Sequence, residues 1–140
     1  MTNKLLLKLS KLYDEIHSEN PYKTKTVSFL IYKNKIISFG VNSEKTSPLQ
    51  FYCRIKSDVI QNDYISDKIH SEIDCIKRTT NFTKWKKAEL VVISKRKDGK
   101  FRLARPCKIC TTLINQKGIR KIWYSTNENT FILENFIKEF

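Results

Sequence analysis

Two short runs of metal-ligating residues each stand at the start of a helical pattern, and this placement constrains the chain more than any other feature. The first is His70-Ser71-Glu72 and the second is Pro106-Cys107-Lys108-Ile109-Cys110. Residues two apart do not share a helix face, so His70 and Glu72 converge only on a point beyond the end of their helix. Cys107 and Cys110 are three apart and converge at an end or along a side. Peptide dipoles at helix N-termini stabilise thiolates. His70 and two thiolates make three ligands for Zn²⁺, the count that leaves a fourth tetrahedral position for water. Glu72 then lies within reach of that water without being a ligand, as a general base requires.

The pattern around these runs supplies a sheet and helices. Leu5, Leu9, Leu12 and Ile16 mark one apolar face over residues 4–18, with Lys4, Lys8 and Lys11 opposite. This reads as a packing helix, ended by Asn20-Pro21, rather than a membrane-surface helix. Residues 26–32 and 36–41 are rich in β-branched and aromatic side chains and form a hairpin about Lys33-Asn34-Lys35. Residues 42–66 are mixed, long enough to be functional or to carry a short element. Residues 67–80 read as a second helix, capped by Ser66 or Asp67, with Ile69, Ile73 and Ile76 buried. Residues 88–94 form a buried strand and Asp98-Gly99 a turn. Residues 106–116 read as a third helix, with Pro106 in its first position and Gly118 as its stop. Residues 119–124 form another strand, and residues 130–138 fit a last strand or a short helix. Strands joined through helices imply parallel pairing. The expected class is α/β, a mixed central sheet flanked by helices, in one domain over residues 1–140.

Charge narrows the partners. The chain carries 27 Lys+Arg against 14 Asp+Glu, a net +13. Of these, 13 cations and two anions, Glu89 and Asp98, lie between Lys84 and Lys121, so that segment holds +11. Concentrated charge points to an anionic partner, and the competing reading is a solvated face in a lysine-rich chain. Arg102, Arg105 and Lys108 flank the sulfur ligands, where a substrate phosphate would be drawn, with Lys108 expected near the pocket mouth. No run of about 18 apolar residues exists to span a membrane. Leu5-Leu6-Leu7 is too short for a secretory core. An intracellular protein, cytoplasmic or nuclear, is expected, in which Cys-x-x-Cys indicates metal or redox chemistry before disulfides. A thioredoxin-like role would leave His70 and Glu72 unexplained.

H-x-E followed by P-C-x-x-C resembles the signature of the zinc-dependent cytidine and deoxycytidylate deaminase-like superfamily. Phe39-Gly40-Val41-Asn42 looks like that family's strand ending in Asn, whose side chain contacts sugar or base, and the element order over residues 26–124 is also similar. The resemblance implies a three-layer cytidine deaminase-like fold with Zn²⁺ on His70, Cys107 and Cys110. It implies hydrolysis, with hydroxide attacking the ring and Glu72 moving the proton to the ring nitrogen and the departing amine. The implied substrate is a cytosine nucleotide; the alternative is cytosine or adenine within single-stranded DNA or RNA, guided by the basic segment. Ser71 stands where relatives commonly carry Ala. His as first ligand, where free-cytidine deaminases usually carry Cys, leans towards the branches acting on deoxycytidylate or nucleic acid. Substrate contacts are expected from Asn42, Ser71, Arg105, Pro106, Lys108, Trp123 and Tyr124. Relatives are often oligomers, so the resemblance suggests a homo-oligomer.

Plainer readings compete. A closed structural zinc site would take Cys53 or Cys75 as fourth ligand, but Cys75, three beyond Glu72, would point into the core. Cys53 and Cys75 read as small apolar residues. His17, near a helix C-terminus, is assigned no chemistry. Asn42 could be a turn residue. Of Trp123 and Tyr124, one ring is expected in the core and the other is a candidate to stack on a base. A non-catalytic, zinc-stabilised nucleic-acid-binding module is the rival class of function.

Overall fold

Alternation along two strands decides the architecture. The computed structural model describes residues 1–21, 25–57 and 68–136. In it, Val27, Phe29 and Ile31 of β1 (Thr26–Tyr32) and Val91 and Ile93 of β3 (Glu89–Lys95) pack against α1 (Asn3–Glu19). Leu30, Leu90 and Val92, one residue out of phase, pack on the opposite face. There they meet α2 (Pro48–Lys56), α3 (Ser71–Arg78) and α4 (Lys108–Lys117). A period of two thus produces two cores and three layers.

The sheet runs β2 (Lys35–Val41), β1, β3, β5 (Lys121–Ser125), β6 (Phe131–Asn135), with β4 (Phe101–Arg102) pairing the end of β3. The β3–β5 pair, joined through α4, is parallel, with Leu90 opposite Ile122. β1 is antiparallel to both neighbours, and β6 is antiparallel to β5. Strands linked through helices are therefore not all paired in parallel: β1 lies between β2 and β3.

Several boundaries differ from expectation. The stretch after β2 carries α2, with Pro48 in its first position. The expected helix over 67–80 begins at Ser71, because the preceding residues are tied down in extended form. Ile69 donates its N–H to Lys45 O and accepts from Ser43 N, both at 3.0 Å. The His70 N–H goes to Gln50 Oε1 at 3.1 Å. The proposed caps Ser66 and Asp67 lie outside the described residues. α4 begins at Lys108, so Pro106 precedes the cap instead of opening the helix. Gly118 closes α4 at φ 88°, and β5 starts at Lys121. In α1 the most buried residues are Leu6, Leu9 and Tyr13, with Leu5, Leu12 and Ile16 at the flanks. Tyr13 is accepted there because its hydroxyl donates to Lys25 O at 2.8 Å. Residues 131–135 form a strand, and 137–138 lie outside the described residues. Among the described residues, no helix is long and apolar enough to cross a membrane.

One close approach fixes α3 on the sheet. A Cβ at Gly40 of β2 would overlap the backbone nitrogen of Cys75 and lie 2.5 Å from Ser71 O. Asp74 Oδ2 then accepts from Val41 N at 3.0 Å and from Arg78 Nε at 2.9 Å. These contacts hold the helix that carries Glu72.

Candidate metal centre and active site

His70 is the N-cap of α3 and Cys107 is the N-cap of α4. Both have extended backbone, at φ −87°, ψ 156° and φ −73°, ψ 172°, and neither side chain caps its own helix. Each side chain is thus available beyond its helix end. Cys110 and Glu72 follow in the first turns. His70 Nδ1 lies 3.2 Å from Cys110 Sγ and 3.5 Å from Cys107 Sγ. The three ligand atoms all fall within 4.8 Å of one another. Zn–N of about 2.0–2.1 Å and Zn–S of about 2.3 Å, at a tetrahedral angle, put N and S about 3.6 Å apart. The donor set therefore fits zinc in chemistry and in spacing.

The electrostatics favour ligation. The Cys107 thiol is pushed down to about 4, chiefly by its hydrogen bond with Cys110 and then by His70. His70 is raised, first by the hydrogen bond with Cys107. Cys110 is buried and burial raises its thiol, so a cation is what would let it ionise. Cys75 is held elsewhere: its Sγ lies 3.8 Å from Ser38 O on β2, and burial pushes its thiol up to about 12. Cys53 is also buried in the core. Among the described residues, the converging His, Cys, Asp and Glu donors are His70, Cys107 and Cys110.

Glu72 is 6% exposed yet lines the same cavity as His70 and Cys107. Ser71 Oγ donates to Glu72 Oε1 at 2.7 Å, and Ser28 Oγ lies 2.7 Å from Ser71 Oγ. Ser71 has one hydroxyl hydrogen, so Ser28 is the donor in that second bond. Ser28 belongs to no motif; what marks it in the sequence is a lone hydroxyl within the apolar run of β1.

The cavity has a volume of about 310 Å³. Of the residues expected to touch substrate, Asn42, Ser71 and Arg105 line it. Asn42 also ties the sheet edge, its Oδ1 accepting from Lys25 N at 2.8 Å and Thr26 N at 2.9 Å. Arg105 makes a two-pronged ion pair with Glu134, at 3.1 and 3.0 Å. Four residues are not brought to the cavity wall. Pro106 is buried behind the cap, and Lys108 points to solvent rather than the pocket mouth. Trp123 lies across the sheet on the α1 side, where its Nε1–H donates to Glu89 Oε1 at 3.3 Å. Tyr124, next in the strand, is buried in the core on the opposite face and interacts with Arg105. Lys25 and Thr26 line the cavity without having been expected, although the β1–β2 register, with Val27 opposite Val41, places them beside Asn42.

The family model described as "Cytidine and deoxycytidylate deaminase zinc-binding region" matches residues 2–126. No curated protein matches the sequence. Among solved structures, a dCMP deaminase from the cyanophage S-TIM5, in complex with dCMP and dUMP, is similar at 18% identity and a TM-score of 0.56. The alignment covers 90% of this chain and 84% of that one. The apo form gives 15% identity and a TM-score of 0.51, covering 90% and 86%. At these identities the likeness is one of fold.

Proposed function

The chain belongs to the cytidine and deoxycytidylate deaminase family, a family of zinc-dependent hydrolases, and from that premise we propose that it converts the cytosine of a nucleotide to uracil. The carrying observation is the convergence of His70, Cys107 and Cys110 at two helix ends, with the Glu72 carboxylate on the wall of the same cavity. The cyanophage enzyme, of similar fold, was solved in complex with dCMP and dUMP, which supports a pyrimidine monophosphate as substrate.

His70, Cys107 and Cys110 would hold the zinc ion, which would supply the Lewis acidity that makes water nucleophilic near neutral pH. The rest falls to the chain. Glu72 takes a proton from the attacking water and passes it to N3 of the ring, then takes the remaining proton of the hydroxyl added at C4 and gives it to the departing amine. A C4–O bond forms, the C4–N bond breaks, and ammonia leaves. Ser71 engages Oε1 of Glu72 and so orients the carboxylate that carries the proton. Burial of Glu72 keeps competing water from the carboxylate. Lys25, Arg102 and Arg105 on the cavity wall attract the substrate phosphate.

The test is mass spectrometry of dCMP, CMP, deoxycytidine and cytidine incubated with the zinc-loaded protein. A gain of about 1 Da on a monophosphate, the replacement of NH₂ by OH, is the expected result. The reading is overturned if no cytosine compound changes.

A further inference from the structure

Ser47-Pro48-Leu49-Gln50 has the sequence of a capping box, in which serine and glutamine close the first turn of their own helix. The box does not close. Ser47 is the N-cap of α2, but its side chain makes no cap bond. Gln50 is wholly buried and its Oε1 accepts instead from the His70 N–H at 3.1 Å. Its Nε2 amide makes no hydrogen bond among the described residues, and neither does Ser47 Oγ. A buried amide with its donor unmet works against folding, and an apolar side chain of the same size would fill the space without that loss. The stability of α2 therefore does not account for Gln50. The bond that its side chain does make ends on the backbone of a metal-site residue.

We propose that Gln50 is a positioning residue for the zinc site, fixing the His70 backbone so that Nδ1 meets the two sulfurs. The inference rests on the zinc site of the deaminase reading and gives that site a support from α2. An N-cap N–H is satisfied within its own helix when the residue at N3 reaches back with a polar side chain. In α3 that residue is Ile73, which carries no acceptor, so the missing half of the box comes from α2. The rest of the backbone around His70 is held by main-chain bonds. Its carbonyl accepts from Asp74 N at 3.0 Å, and Ile69 before it is tied to Ser43 and Lys45. With the backbone fixed, two torsions remain between Cα and the imidazole. A tilt at Cα would therefore carry Nδ1 away from Cys110 Sγ and Cys107 Sγ, now 3.2 and 3.5 Å distant. Groups that orient a metal ligand without touching the metal govern affinity in this way.

The experiment measures zinc affinity by competition with a chromophoric chelator, together with melting temperature, for the full chain and three variants. Gln50→Met keeps the volume and removes the acceptor. Gln50→Glu keeps the acceptor. Cys53→Ala removes a buried sulfur from the same helix and leaves the bond to His70 in place. Gln50→Met should weaken zinc binding about 10–100-fold, while Gln50→Glu and Cys53→Ala stay within about threefold of wild type. Cys53→Ala should lower the melting temperature all the same. The visible bands of cobalt(II) bound in place of zinc should shift in Gln50→Met and not in Cys53→Ala. Zinc held by Gln50→Met as tightly as by wild type overturns the inference. So does an equal loss in Gln50→Met and Cys53→Ala, which would trace the effect to α2 packing. Should Gln50→Met fail to fold, Gln50→Glu decides: affinity near wild type supports the inference, and a loss of about 10-fold or more overturns it. A wild-type chain that binds zinc and deaminates nothing overturns the deaminase reading and leaves the role of Gln50 standing. One that takes up no zinc overturns both.

Discussion

Ser71 donates its hydroxyl hydrogen to Oε1 of Glu72 at 2.7 Å, and Ser28 in turn donates to Ser71 at 2.7 Å. Ser28 and Ser71 are almost wholly buried. The general-base candidate is thus positioned by a polar chain that begins on the central sheet. Ser71→Ala should lower kcat about 10-fold while KM stays within twofold, since a hydrogen bond to a charged group is worth about 1.5–3 kcal/mol. It also strands the Ser28 hydroxyl, at a cost of about 1–3 kcal/mol in urea unfolding. Adding Ser28→Ala should restore most of that stability and none of the rate. Additive losses would show that the two hydroxyls act separately.

Gly40 is where β2 meets α3. Gly40→Ala drives a methyl group into the backbone of Cys75 and towards Ser71 O. Backbone cannot give way as a flexible side chain does, so α3 must shift, at about 1–3 kcal/mol or more. Thermal unfolding should show the loss. Because His70 caps the same helix, zinc measured by atomic emission should fall as well.

Much of the fold was legible in the sequence. Period-two strands and a three-four helix repeat are local patterns, and buried faces impose them strongly. Helix starts were less legible. Those of α3 and α4 are set by tertiary partners, such as Gln50 on the His70 N–H, which neighbouring residues do not reveal. The short element allowed for in residues 42–66 is α2, whose type and bounds were not legible because its Pro48–Lys56 sequence mixes polar and apolar residues over just nine positions. At the site, the ligand spacing in the two runs was readable because chemistry restricts it. The faces of Trp123 and Tyr124 were not, since alternation says that they differ and not which one meets α1.

That face assignment is open to measurement. Trp123→Phe removes the hydrogen bond to Glu89, and stability should drop by about 1 kcal/mol. KM for a cytosine monophosphate should stay within twofold, because the ring lies on the α1 side of the sheet. A several-fold rise in KM would put the indole in the substrate cavity.

The sulfur ligands separate from the other cysteines. Cys107→Ser and Cys110→Ser should each fall well below one zinc per chain, and dialysis against a chelator should strip the metal that remains. Cys75→Ala should keep one zinc, since its thiol is turned to Ser38 and held protonated. Zinc loss in Cys75→Ala at unchanged stability would instead indicate a closed structural site.

The role of Glu72 is tested most directly by Glu72→Gln, assayed for ammonia release from a cytosine monophosphate alongside zinc content and melting temperature. The amide keeps the shape and can still accept from Ser71, but it cannot carry the proton. Turnover should fall by about 10²–10⁴-fold, with one zinc per chain and an unchanged fold. A variant that deaminates at the wild-type rate would contradict the assignment of this carboxylate as the proton carrier.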